Sequence, residues 1–249
     1  MTLRLQFAGP IARVLLDRAA KRNAVTQAMW ETLPGLIAQA VAAPEVRVIV
    51  LTSATPGVFC AGADIGELAG NAGNSAWLAA NQAAINRAQW ELTRAAKPTV
   101  AVIDGDCVGG GCGLALACDL RVATARARLG ITPAKLGLVY PLHDTKLLVD
   151  LVGPAVAKRM LYTGQLLGAE EAYRVGMVDM LGEADELLAS IVAQSGHSQR
   201  KTKAMVRRIL DGQAADDDAT RDMFAGAFGG EDFREGVAAF LGKRPPQFG

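Results

Sequence analysis

The sequence predicts an α/β fold on a mostly parallel sheet, and three observations predict it. β-branched apolar runs alternate with helical stretches through the first half of the chain. Two short glycine-bearing segments, Phe59–Ile65 (F-C-A-G-A-D-I) and Val108–Gly113 (V-G-G-G-C-G), each follow such a run and lead into a stretch that can form a helix. From Pro133 onward the chain reads as mainly helical. Its 249 residues suit one large domain, or one domain with a small appendage, and allow a sizeable core.

Leu3–Phe7 and Ile11–Asp17, split by Gly9-Pro10, predict a β-hairpin. Asn23–Ala43 reads as helix, with Thr26 as N-cap and Pro44 as stop. Val46–Ser53 is the next strand and precedes the first glycine segment. Ser75–Ala96 carries apolar residues at helical spacing up to Lys97-Pro98. Thr99–Asp104 is a strand, and the second glycine segment opens a short helix through Ala117; Leu120–Ala123 is a further strand. The helices expected after Pro133 are Leu142–Leu151, Pro154–Tyr162, Ala169–Val175, Glu183–Gln194, Ser198–Leu210, Asp217–Phe228 and Asp232–Leu241. Gly70–Ser75 is the expected mobile surface loop.

Composition excludes several function classes. With 26 basic against 25 acidic residues the net charge is +1, which gives no electrostatic case for nucleic acid or an acidic membrane. Only 5% of residues are aromatic, against a base-stacking surface. Cys60, Cys107, Cys112 and Cys118 show no C-x-x-C spacing, and His143 and His197 are the only histidines, so reduced buried thiols are expected and no metal site. No secretory signal and no run of about 18 apolar residues is visible, so the chain reads as soluble and cytoplasmic. Gly109–Gly113 fails G-x-G-x-x-G because the sixth position is Leu114, and neither a G-K-[ST] nor a G-x-S-x-G motif occurs.

Glycine lets backbone approach a ligand unobstructed, and a helix start leaves N–H groups unpaired. Two such turns facing one another would offer two N–H donors to one developing negative oxygen, the arrangement of an oxyanion hole. The alternative is that both are merely tight turns.

The order of these pieces resembles the enoyl-CoA hydratase/isomerase (crotonase) superfamily. The likeness rests on D-R-A-A-K-R-N-A at Asp17–Ala24, F-C-A-G-A-D-I at Phe59–Ile65, and G-G-G-C-G-L-A-L-A-C-D-L at Gly109–Leu120. It continues in L-x-G-x-x-x-A-x-x-x-G-M-V at Leu166–Val178 and in the terminal F-R-E-G-V-A-A-F-L-G-K-R-P-P-Q-F. The resemblance implies a crotonase (ClpP-like) spiral of β-β-α units with a helical C-terminal segment, in trimers that often pair into hexamers. Residues 1–190 would form the core with the acyl pocket, and 191–249 the segment for trimer contacts and completion of the CoA site. It implies an acyl-CoA thioester as substrate, and no cofactor beyond the CoA that the substrate carries. The family's oxyanion donors fall on the amides of Ala63 and Gly110. Lys21, Arg22, Ala24, Ala61, Asp64, Ile65, Phe240 and Lys243 fall where the family's chain approaches CoA; the cations among them suit phosphate, with ordinary solvated surface as the alternative.

The sequence also departs from that family. Its hydratases place a water with two glutamates, and those positions here read Gly113 and Pro133; no glutamate occurs from Leu92 to Ala169. Neither residue can carry a proton on its side chain, so ordinary two-glutamate hydration is not expected. A third position, an aspartate in some isomerase and dehalogenase branches, falls on Pro141. Tyr140, His143 and Asp144 form the close titratable cluster after the glycine turn and are the candidate proton-handling groups. Plainer readings exist for each: a pocket wall for Tyr140, a surface group for His143, a helix N-terminal carboxylate for Asp144. The run Thr132–Tyr140 looks like that of methylmalonyl-CoA decarboxylases, which makes decarboxylation one alternative. Binding of acyl-CoA without turnover is another.

Overall fold

The computed structural model describes residues 2–249. The chain forms two compact units. The first takes in the chain through Ala95 together with Thr99–Ala184; the second comprises Ala96–Pro98 and Asp185–Gly249.

The first unit contains strands β1 (Leu3–Ala8), β2 (Ile11–Leu16), β3 (Val48–Ser53), β4 (Val58–Cys60), β5 (Thr99–Ile103), β6 (Asp106–Val108), β7 (Leu120–Ala123), β8 (Arg128–Gly130), β9 (Leu167–Gly168) and β10 (Met180–Leu181). Its helices are α1 (Gln27–Ala42), α2 (Ile65–Gly70), α3 (Ser75–Arg94), α4 (Gly110–Leu116), α5 (Leu142–Thr163) and α6 (Ala169–Arg174). A six-stranded sheet runs β1-β2-β3-β5-β7-β10, antiparallel only at the β1–β2 hairpin. A four-stranded sheet runs β4-β6-β8-β9, with β9 antiparallel to the rest. The pairs β3-β4, β5-β6 and β7-β8 thus each place one strand in either sheet, which is the β-β-α repeat of the spiral.

The hairpin and the central strands lie where the apolar patterning puts them. Two differences have physical causes. The glycine segments do not follow β3 and β5 directly: β4 and β6 intervene, and at three residues each they are too short to show a period-two pattern. The expected helix from Asn23 begins only at Gln27, capped by Thr26, because Arg22 and Asn23 are left-handed (φ 51° and 56°). The expected surface loop at Gly70–Ser75 is the turn of residues 71–74 between α2 and α3, where Asn74 caps α3 by accepting from Trp77 N. The break between Leu142–Leu151 and Pro154–Tyr162 survives as a kink inside α5 at Gly153 (φ 73°).

α1 buries Met29, Trp30, Leu33, Pro34, Ile37 and Ala40 on one face, the helical spacing of a core contact. The four cysteines are free and buried among the same apolar residues; burial pushes Cys60 up to about 12. The second unit holds α7 (Asp185–Ala193), α8 (Gly196–Leu210), α9 (Asp218–Ala227) and α10 (Glu231–Leu241). Phe224, Phe228 and Phe233 meet edge to face there, with ring centroids 5.3 and 5.2 Å apart. These rings help line an apolar cavity of about 910 Å³ among α8, α9 and α10. Among the described residues no helix is long and apolar enough to cross a membrane.

Asn23 fastens the chain between β2 and α1 to both sheets. Its Nδ2 donates to Ser53 Oγ (2.8 Å) at the end of β3 and to Phe59 O (2.9 Å) in β4, while its Oδ1 accepts from Arg18 N (2.8 Å). Asn23→Ala removes all three bonds and puts a Cβ-bearing residue without them at positive φ. The expected loss is about 2–4 kcal/mol, measured as a shift in urea-unfolding midpoint followed by tryptophan fluorescence.

Candidate active site

The first glycine turn is held by a strip of backbone pairing. Val25 N donates to Gly62 O (2.8 Å), Asp64 N to Val25 O (3.0 Å) and Ala61 N to Arg22 O (2.9 Å). Successive amides of an extended chain point to opposite sides, so with Asp64 N turned toward Val25 the Ala63 amide is turned away from it. Asp64 fixes the far end: it caps α2 by accepting from Glu67 N (3.1 Å) and pairs with Arg18 (2.7 Å). The hydrogen bond from Arg18 holds its carboxyl below the usual range.

The second turn comes up against the first. Gly62 (φ 105°) and Gly109 (φ 53°) stand face to face, and a Cβ on Gly62 would lie 3.1 Å from Val108 O. Only glycine reaches these dihedrals without strain while leaving room for the neighbouring backbone. Gly109 N is tied to Gly130 O (2.8 Å), and Gly109 O accepts the first bond of α4 from Gly113 N (3.0 Å). Gly110, the first residue of α4, follows. Its Cβ position lies 3.8 Å from Ala63 N and 3.0 Å from the Trp30 ring. Neither the Ala63 nor the Gly110 amide donates a hydrogen bond among the described residues.

One turn along α4 sits Gly113, fully buried. The space where its side chain would begin is occupied: a Cβ there would lie 2.5 Å from Gln89 Nε2 and 3.4 Å from Asp144 Oδ1. Gln89, on the buried face of α3, donates to Asp144 Oδ1 at 2.6 Å, and Gln82, two turns earlier, donates to Oδ2 at 3.4 Å. Asp144 is only 3% exposed. Burial raises its pKa, against the opposing influence of Gln89, His143 and Gln82. Tyr140 packs on the core, and burial, with Asp144 next, drives its phenol well above the ordinary value. His143 Nε2 and Gln89 Oε1 are buried without a hydrogen-bond partner.

The structure therefore brings Ala63 and Gly110 together, and sets Tyr140, His143 and Asp144 beside α4. Around the first turn, Ala24 O accepts from Arg18 (2.9 Å), Ala61 is half-buried and Ile65 is half-exposed. Lys21 is exposed; Arg22 pairs with Asp106, which Arg128 also holds, so two guanidinium groups share one carboxylate. Phe240 and Lys243 are exposed residues of the second unit. Glu67 is engaged, its Oε2 accepting from Gln27 N (2.9 Å) at the start of α1. Sequence reading passed over Gln89, Gln82 and Trp30. The signal for Gln89 was a polar residue at a register where Ala88 and Leu92 mark the buried side of α3.

The sequence model of the enoyl-CoA hydratase/isomerase family matches residues 6–249. The chain belongs to that family. It is 34% identical over 214 residues to the crotonyl-CoA hydratase of Syntrophomonas wolfei, covering 82% of this chain and 81% of that protein. A solved enoyl-CoA hydratase/isomerase family protein from Hyphomonas neptunium superposes with TM-score 0.96 at 40% identity, over 100% of this chain and 98% of that one. An enoyl-CoA hydratase from Bacillus anthracis gives TM-score 0.90 at 28% identity, over 100% and 99%. This crotonase-fold chain is accordingly an enzyme of the hydratase/isomerase family, with acyl-CoA chemistry as the family's business.

A raised carboxyl pKa has a thermodynamic sign. The folded protein binds the Asp144 proton more tightly than the unfolded chain does, so Asp144 costs stability progressively as pH rises through its native pKa. Asp144→Asn keeps an oxygen for Gln89 and has no charge to bury. Thermal melts should therefore show the variant more stable than wild type at pH 8, with the gain vanishing below the ordinary carboxylate range, near pH 3–4.

Proposed function

We propose that this chain acts on an acyl-CoA thioester by stabilising its enolate, the charge on the thioester oxygen being held by the Ala63 and Gly110 amides. The observation that carries the reading is the approach of those two unpartnered amides across the Gly62–Gly109 contact. Proton removal next to a thioester, addition to its double bond and loss of a carboxylate from its α-carbon all put negative charge on that oxygen. Fixed backbone donors meet it at no reorganisation cost, and losing one typically costs about 10²–10³ in rate.

Hydration by two glutamates does not suit this site, because the family resemblance puts Gly113 and Pro133 at the glutamate positions. Crotonyl-CoA is thus expected to be hydrated at least about 10²-fold more slowly than by a two-glutamate hydratase of the family; loss of the enoyl absorbance at matched enzyme concentration measures it, and comparable rates would refute it. CoA recognition goes with the same reading: Lys21 and the paired Arg22/Arg128 cluster offer exposed cations to its phosphates. The apolar α8–α10 face with its exposed Phe224 and Phe240 is consistent with assembly into trimers or hexamers.

Decarboxylation keeps one supporting observation, Tyr140 half-buried against the core with its proton firmly held. A panel of acyl-CoA thioesters, malonyl types included, screened by mass spectrometry for bound ligand and for product separates the three outcomes of enolate chemistry, CO₂ release and binding alone. Within it, Ala63→Pro deletes one amide and should lower turnover by about 10²–10³ with acyl-CoA binding retained. Undiminished turnover in a folded Ala63→Pro protein would remove the oxyanion role.

A further inference from the structure

The enolate reading leaves open which group moves the proton. The positions that carry glutamates in the family's hydratases are Gly113 and Pro133 here, yet the volume beside Gly113 is not apolar. It is filled by the Gln89 amide and the Asp144 carboxylate, which arrive from α3 and α5. The two features are mutually dependent. Any side chain at 113 would begin 2.5 Å from Gln89 Nε2, so the Gln89 amide sits where it does because residue 113 is glycine and would have to shift if it were not.

We propose that Asp144 is the proton-transferring carboxylate of this enzyme, reaching the acyl group from α5 across the gap at Gly113, with Gln89 as its positioning residue; the inference rests on the enolate reading above. Three observations support it. First, the reach is right. Gly113 lies three residues after Gly110 on α4, so their Cβ positions are about 5–6 Å apart on one face. Asp144 Oδ1 lies 3.4 Å from the one and Ala63 N 3.8 Å from the other, which brackets the span between a thioester oxygen and its α- and γ-carbons. Second, other carboxylates around the two turns are already engaged: Asp64 by Arg18, Glu67 by Gln27 N, Asp104 by Arg126, and Asp106 by Arg22 and Arg128. Asp144 forms no ion pair, and its hydrogen bonds come from the Gln82 and Gln89 side-chain amides. Third, Gln89 is completely buried, gives its nitrogen to Asp144, and leaves Oε1 without a donor, an acceptor for a substrate hydroxyl or amide at the same spot.

The chemistry balances with one carboxylate. Asp144 takes a proton from the α- or γ-carbon, the C–H electron pair enters the conjugated system, and the thioester oxygen takes up the charge against the two amides. Asp144–COOH then returns the same proton, or one exchanged with solvent, to either carbon. The net reaction is α-proton exchange or a 1,3-shift of a double bond; no water is added and no redox partner is needed. This places the enzyme among proton-shuttling isomerases and sets it apart from hydratases. The titratable groups facing Asp144 are His143 and Tyr140 on its own segment; from α3 it meets only Gln82 and Gln89.

The experiment is deuterium incorporation from D₂O into saturated acyl-CoA thioesters, from acetyl- to octanoyl-CoA, followed by mass spectrometry with the full-length protein. Wild type should exchange at least one member of the series. Asp144→Asn should exchange it at least about 10²-fold more slowly while binding it within a few-fold, with folding checked by the thermal melt. Gln89→Leu should slow exchange less, and should move the rising limb of its pH profile upward, because the amide that favours the Asp144 anion is gone. Exchange by Asp144→Asn at the wild-type rate, or an unmoved limb in Gln89→Leu, overturns the assignment and leaves the enolate reading standing. No exchange by wild type with any thioester overturns both.

Discussion

Backbone meets backbone where Gly62 faces Val108 and Gly109, and the candidate site is arranged around that contact. A side chain on either glycine would have to adopt a positive φ, and one on Gly62 would also press on Val108 O. The approach therefore depends on two residues that contribute nothing but the absence of a Cβ. Each turn is separately braced from behind, the first by residues 22–25 and the Asp64–Arg18 pair, the second by Gly130 O. Because the braces use the amides on one side of each chain, the amides of Ala63 and Gly110 are left over on the other. Two unsatisfied donors at one place would be a defect in an ordinary core. In the proposed oxyanion site they would be the working parts, available because no protein group uses them.

A second tension of the same kind runs through α3, α4 and α5. A carboxylate buried to a few per cent beside Gly113 raises the energy of the folded protein whenever it is ionised, and two glutamine amides offset only part of that. A Leu or Met at 144 would fill the space at lower cost. Buried groups kept at a cost to stability, with pKa shifted by burial, gather at sites of chemistry. Here the shift has the direction that lets one group both take and give a proton nearer neutral pH than a solvated aspartate could.

Much of the fold was legible because its long elements obey simple periods. The β1–β2 hairpin, β3, β5, β7 and the helices after Pro133 show apolar runs of four or more residues, or helical spacing, and a local pattern suffices for them. The second sheet was not legible. β4, β6 and β8 are three residues each, and what holds them is pairing with one another across gaps of tens of residues, which no local window contains. Asn23 was read as helix for the same reason: its left-handed backbone is fixed by bonds to Ser53 and Phe59, both remote in sequence. At the site, the two glycine turns were visible as motifs, and so was the cluster at Tyr140–Asp144. Gln89 was visible only as a polar residue on a buried helical face; its meaning depends on Gly113, twenty-four residues later, having no side chain.

That dependence makes the glycine at 113 and the aspartate at 144 one feature. Glycine at 113 by itself would leave a hole in a close-packed interior, with its lining deprived of contacts. An amide and a carboxylate fill the hole from two other helices, so the packing loss is met by polar atoms. The direction of approach changes with it: a carboxylate borne on α4 would rise from the same helix as the Gly110 amide, whereas Asp144 enters from the start of α5. One carboxylate serves a reaction in which the same proton leaves one carbon and joins another. Adding water across a double bond needs a base for the water and an acid for the carbon, and in the family that work is shared by two glutamates. On the proposed reading, the number and origin of carboxylates beside one oxyanion hole separate one reaction class from another on an unchanged fold.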